Sequence, residues 1–228
     1  MVLNVVGSSP TSHTERDSVG NLLTESFRLR EIIVTSAART PYIYIATNPM
    51  TPQKFEERIQ EDLHRFLSAR GAVDERLPEC PDVALKWAEI GEAYLPDGMR
   101  EFQDYPTVSL GWMMFIGMAV ARLWDKDWAQ AGAQTDLYAQ FRDARGYDAM
   151  DEYLLEEVIH VGPKAAAELS ALVGDCAART NNALLRAGFE PGTAEAFRAY
   201  VAVLHQMYLM GMAVQLKRMG YRMTLQEL

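Results

Sequence analysis

From Met50 onward, apolar residues recur at intervals of three and four, the period of an α-helix with one buried face. In "MTPQKFEERIQEDLHRFLSARG" the stripe is Phe55, Ile59, Leu63, Phe66 and Leu67. Thr51 stands where an N-cap belongs, Pro52 takes the first helical position, and Gly71 supplies a stop. "PDVALKWAEIGEAYLPDG" repeats the pattern through Val83, Trp87, Ile90 and Tyr94, and Pro96-Asp97-Gly98 predicts a closing turn. A third segment, from about Pro106 to Trp128, is apolar around its whole circumference, as expected of a fully packed central helix.

A polar stretch, "AGAQTDLYAQFRDARGYD", reads as a link to a second trio. "DAMDEYLLEEVIH" predicts a short amphipathic helix. "GPKAAAELSALVGDCAARTNNALLRAG" follows, with Leu169, Val173, Cys176, Thr180 and Leu184 on one stripe and Gly188 as its cap. "GTAEAFRAYVAVLHQMYLMGMAVQLKRMG" is apolar over most of its circumference. Each trio thus ends in a mostly apolar helix, and both of these contain Gly-Met-Ala-Val, at Gly117–Val120 and Gly211–Val214. Duplication and compositional coincidence both account for that. The expected fold is an all-α, single-domain bundle of about six helices over residues 50–228, with two apolar central helices.

Residues 1–49 do not share this grammar. One choice of codons for Val6–Thr11, GTG GGT TCG AGT CCC ACN, is the T-arm of a transfer RNA gene, in which GUGGG pairs with CCCAC around UUCGAGU. Residues 1–49 are therefore expected to be a disordered or non-native extension, with Met50 as initiator. The gene sequence checks this. The rival expectation is a small hairpin within "REIIVTSAARTPYIYIATN".

Composition narrows the functional classes. The chain of 228 residues is 49% hydrophobic and 23% charged, in the range of packed globular domains. Its formal net charge is −9, and residues 1–49 hold four acids and four arginines, so the excess lies in the helical part. Such a charge disfavours phosphate backbones and anionic lipid, so neither nucleic acid nor membrane is expected as a partner. Cys80 and Cys176 form no disulfide framework and suit a reducing cytoplasm. Leu110–Ala121 is short for a membrane span, and Ala199–Val214 is interrupted by His205 and Gln206. Both read as core of a soluble protein.

Several constellations could carry chemistry. Glu61 with His64 and Glu157 with His160 are paired Glu-x-x-His motifs, which resemble those of carboxylate-bridged di-iron bundles. Helical phase sets them away from the apolar stripes, which predicts solvated side chains. Glu89-x-x-Glu92 followed by Glu101-x-x-Asp104 resembles the acidic metal-binding pattern of the all-α nucleotide pyrophosphohydrolases. That resemblance implies magnesium held by helix carboxylates and water activated against a phosphoanhydride. Here too the phase predicts a solvated acidic face. Asp125 and Asp127 in "WDKDW" are two apart and do not share a helix face.

Polar residues inside the apolar helices are the remaining candidates. Arg122 and His205 should need partners; Asp62 or Asp104 is the expected partner of Arg122. Thr180 should bond its own helix, and Tyr200 and Tyr208 could add hydroxyls to a small pocket. Met113, Met114, Met118, Met207, Met210 and Met212 are expected to fill the core or, alternatively, to line a pliable cavity. Phosphate-binding glycine loops and a GxSxG elbow are not found in the sequence. The leading expectation is a non-enzymatic protein-interaction or self-assembly module without a cofactor, forming a homodimer or binding a protein partner. The alternatives are a metal-dependent hydrolase of nucleotide phosphoanhydrides and a small apolar-ligand-binding bundle.

Overall fold

Capping and phase place the first helix as its sequence predicts. In a computed structural model, which describes residues 50–222, the Thr51 hydroxyl accepts from the Lys54 N–H at 3.3 Å and opens α1, Pro52–Ala69. Phe55, Ile59, Leu63 and Leu67 on its stripe are buried. There follow α2 (Pro81–Asp104), α3 (Pro106–Gly132), α4 (Leu137–Arg145), α5 (Met150–Tyr153), α6 (Pro163–Arg186) and α7 (Ala194–Arg218). All elements among the described residues are helical, so these residues form an all-α single-domain bundle. The readings made for residues 1–49 lie outside the described residues.

Three predicted boundaries are corrected. The second helix does not stop at Pro96 but runs on to Asp104. Proline removes the N–H that would bond the carbonyl four residues earlier, and that residue, Glu92, is exposed, so water can serve the carbonyl instead. The polar link contains α4, whose Leu137, Tyr138 and Phe141 are buried. "DAMDEYLLEEVIH" is not one α-helix: a 3₁₀ turn at Tyr147–Ala149 leads into α5, and a π turn at Leu154–Val158 leads out. It ends at His160 in the left-handed region, φ 58°. The π turn keeps Leu154, Leu155 and Val158 buried together.

The core is the pair α3 and α7. Ser109 meets Tyr200 near their starts, and Arg122, further along α3, meets Met219 just past the end of α7, so the two helices run parallel. Gly117 lies against the carbonyl of Tyr208, and Gly211 against the carbonyl of Met114; a Cβ at either position would overlap that backbone. Each glycine therefore meets the residue three before its counterpart, and the two Gly-Met-Ala-Val segments cross with local two-fold symmetry. Around this pair, α1 packs on α7, while α2, α6 and the π turn pack on α3. By length and composition α3 and α7 could each cross a membrane, with mean hydropathy 1.3 and 1.2, but 72% and 78% of those windows are buried inside the bundle.

Candidate functional site

The two Glu-x-x-His motifs stay apart. Glu61 is exposed, and His64 donates its Nε2 proton to the Asp74 carbonyl at 3.0 Å. Glu157 pairs with Arg145 at 3.1 Å, and exposed His160 bonds the Glu156 carbonyl through Nδ1. The acidic quartet does not converge either. Glu89 is 2.7 Å from the Lys86 ammonium, Glu101 is half-buried, and Glu92 and Asp104 are exposed. Among the described residues no group of three or more His, Cys, Asp and Glu side chains could hold a metal ion.

The buried-polar candidates have local partners. Arg122 pairs with Asp125 at 2.7 Å, one helical turn away, and not with Asp62 or Asp104; Asp62 pairs with Arg179, also at 2.7 Å. Close to the end of the apolar run, the Arg122 stem can carry its head to the surface. Asp125 also accepts from Tyr221 at 2.8 Å, and exposed Asp127 accepts from the Gln130 N–H at 3.2 Å. His205 bonds Glu56 at 2.8 Å and stacks on Trp87 with ring centroids 5.0 Å apart. Thr180 donates to the Cys176 carbonyl at 2.8 Å, and Tyr208 to the Val83 carbonyl at 2.7 Å. These contacts occupy the groups from which a pocket near Arg122 and His205 would be built.

Two further features lie apart from the predicted constellations, although Met210 and Met212 of the first and Tyr200 of the second were expected pocket residues. One is a cleft of about 560 Å³ where α1, the segment before α2 and α7 meet, lined among others by Leu209, Met210, Met212, His64 and Cys80. Burial pushes the Cys80 thiol above its usual range. The other is a hydroxyl network where α2 turns into α3 and α7 begins. Ser109 is fully buried; its hydroxyl donates to the Gly98 carbonyl at 2.8 Å, so its single proton is used and Tyr200 must donate to Ser109, at 2.9 Å. Tyr94 donates to the Ser109 carbonyl at 2.5 Å. Desolvation raises the Tyr94 phenol well above its ordinary value and pushes Tyr200 up to about 12, so both remain neutral donors.

Beside this network, Asp97 collects Tyr138 at 2.8 Å, Arg142 at 3.2 Å and Arg100 at 3.3 Å, which fixes α4 on α2. Tyr147 lies edge-on to Trp112 with centroids 4.2 Å apart, beneath the Arg100 guanidinium. The network locks a corner of three helices, where four hydrophobic side chains are exposed among charged ones. Tyr105 is 61% exposed, Met99 46%, Val108 38% and Phe197 38%. Phe102 links them: it packs on Tyr200 at 4.6 Å, with Met99 and Tyr105 one turn to either side, and Phe197 is one turn before Tyr200. The sequence signal was the spacing Met99, Phe102, Tyr105, masked by the turn predicted at Pro96.

No protein-family model matches the chain, and neither a curated protein nor a solved structure gives a significant match.

Proposed function

We propose that the chain is a soluble cytoplasmic helical module that acts by association, and that its working surface is the apolar corner of Met99, Tyr105, Val108 and Phe197. The observation that carries this reading is the combination of exposed aromatic and aliphatic side chains with a locked hydroxyl network beneath them. Apolar groups held on a rigid scaffold lose little conformational entropy on binding. Scattered exposed hydrophobics need no explanation, whereas neighbouring ones at one helical corner mark an interaction surface. Burial of α3 and α7 inside the bundle supports a soluble protein, and two buried free cysteines suit a reducing compartment.

The occupant is a second copy of the chain. Both signs of charge neighbour these side chains in sequence, Arg100, which pairs with Asp97, beside Glu101 and Asp104 on α2, and Arg198 beside Glu195 on α7. A patch of mixed sign can meet itself across a two-fold axis with opposite charges opposed. Sedimentation velocity on the full chain from about 1 to about 100 µM tests this, a range that detects micromolar dimers. A concentration-dependent dimer is expected, and Tyr105→Lys combined with Phe197→Lys should leave a monomer with unchanged helical content. A wild-type chain that stays monomeric over that range, or a dimer indifferent to both substitutions, overturns the reading.

A further inference from the structure

Four arginines line a cleft of about 440 Å³ between α1 and α6: Arg58, Arg65, Arg179 and Arg186. The spacing is the same on both helices, seven residues from one arginine to the next. Asp62 pairs with Arg179 and Arg70 with Asp175, so α1 and α6 run antiparallel here. That direction brings Arg58 to the Arg186 end of the cleft and Arg65 to the Arg179 end. Among the described residues Arg179 alone of the four is engaged, by Asp62 and by the face of Phe66, 4.8 Å from the ring centroid. Among the described residues Arg58, Arg65 and Arg186 make no ion pair. Glu61 and Asp62 are the two carboxylates of the cleft, and Asp62 is already taken.

We infer that this cleft is a binding site for a small oligophosphate, a ligand with at least two linked phosphoryl groups. Concentrated positive charge in a chain of formal net charge −9 is a local reversal of sign, and guanidiniums without an ion pair among the described residues repel one another until an anion enters. Guanidinium forks match phosphate oxygens in pairs, a geometry that lysine does not offer. Seven helical residues place the two arginines of each helix about 10 Å apart along its axis. One orthophosphate cannot reach both ends of such a cleft, whereas a linked di- or triphosphate can. The inference concerns binding, and it stands apart from the self-association reading, since the cleft lies on other elements than the corner.

The test is calorimetric titration of the full chain with inorganic tripolyphosphate, with orthophosphate for comparison. Tripolyphosphate should bind with a Kd on the order of 10–100 µM at low salt and weaken as salt is added. Orthophosphate should bind at least about tenfold more weakly. Arg58→Gln with Arg186→Gln should cost at least about tenfold in tripolyphosphate affinity without lowering the melting temperature, while Lys126→Gln, outside the cleft, should change nothing. Absence of binding, or equal binding by the double variant, overturns the site. So does a single-stranded RNA oligomer that binds and is not displaced by tripolyphosphate, which would make the surface a nucleic-acid one.

Discussion

Lys86 carries its charge into the bundle, where its side chain is 8% exposed. Its ammonium donates to Glu89 at 2.7 Å, to the Gly132 carbonyl at 3.2 Å and to the Gln134 carbonyl at 2.5 Å. Gly132 ends the short helical segment that follows a kink at Asp127 in α3, so the lysine satisfies carbonyls that a helix terminus leaves open. Glu89 completes the group, so it has a structural partner where the resemblance implied a metal ligand and helical phase predicted a solvated carboxylate. Lys86→Met should therefore cost about 2–3 kcal/mol, reduced from the full cost of breaking a buried pair because Glu89 is partly solvated. Lys86→Met with Glu89→Met should recover part of that loss. Urea unfolding of the three proteins checks both statements. A single variant as stable as wild type would mean that water replaces the ammonium. The sequence held a signal for Lys86, three residues after Val83 and four before Ile90 on the apolar stripe. It held none for the α3 carbonyls, which come from more than forty residues away.

At the scale of elements, the two apolar helices approach as closely as their glycines allow. A methyl group at Gly117 would overlap the Tyr208 carbonyl, and one at Gly211 the Met114 carbonyl. Neither obstacle is a flexible side-chain tip, so relief requires the helices to separate. Gly117→Ala and Gly211→Ala should each destabilise the fold by about 3 kcal/mol or more, against a propensity gain of about 1 kcal/mol. Gly174 is the control: it lies in the interior of α6 with nothing within 4 Å of an added Cβ. Gly174→Ala should stabilise by about 0.5–1 kcal/mol. Thermal unfolding of the three variants should show two lowered midpoints and one raised. Helix existence was legible because stripes such as Phe55–Ile59–Leu63 and Leu169–Val173–Cys176 report burial directly. Pro96 misled because its effect depends on whether the freed carbonyl meets water, and sequence alone does not say. The two tetrapeptides were visible as a repeat, but their crossing is a property of the pair.

Across the whole molecule, the buried hydroxyls and the thiol of Cys176 set a limit on alkaline stability. Tyr94 donates to Ser109, Tyr208 to Val83 and Tyr138 to the Asp97 carboxylate. Desolvation is the largest cause in raising all three phenols, and it also pushes Tyr200 up to about 12 and the Cys176 thiol from 9.0 up to about 12. In every case the folded-state value lies above the unfolded one. The unfolded chain then gives up its protons first, and it is favoured as these groups titrate. Their stabilising effect is complete below the unfolded values and is lost as pH climbs through 9.0 and 10.0 toward about 12. The urea midpoint should therefore be flat from neutrality to about pH 8 and fall ever more steeply above about pH 10. Tyrosinate absorbance from these buried rings should appear together with the loss of helical circular dichroism, because a phenolate cannot donate to the carbonyls that hold it. Absorbance that accounts for all ten tyrosines while the helices persist would show that the Tyr94 and Tyr208 rings are open to solvent, and that the network beneath the apolar corner is not the lock described for it.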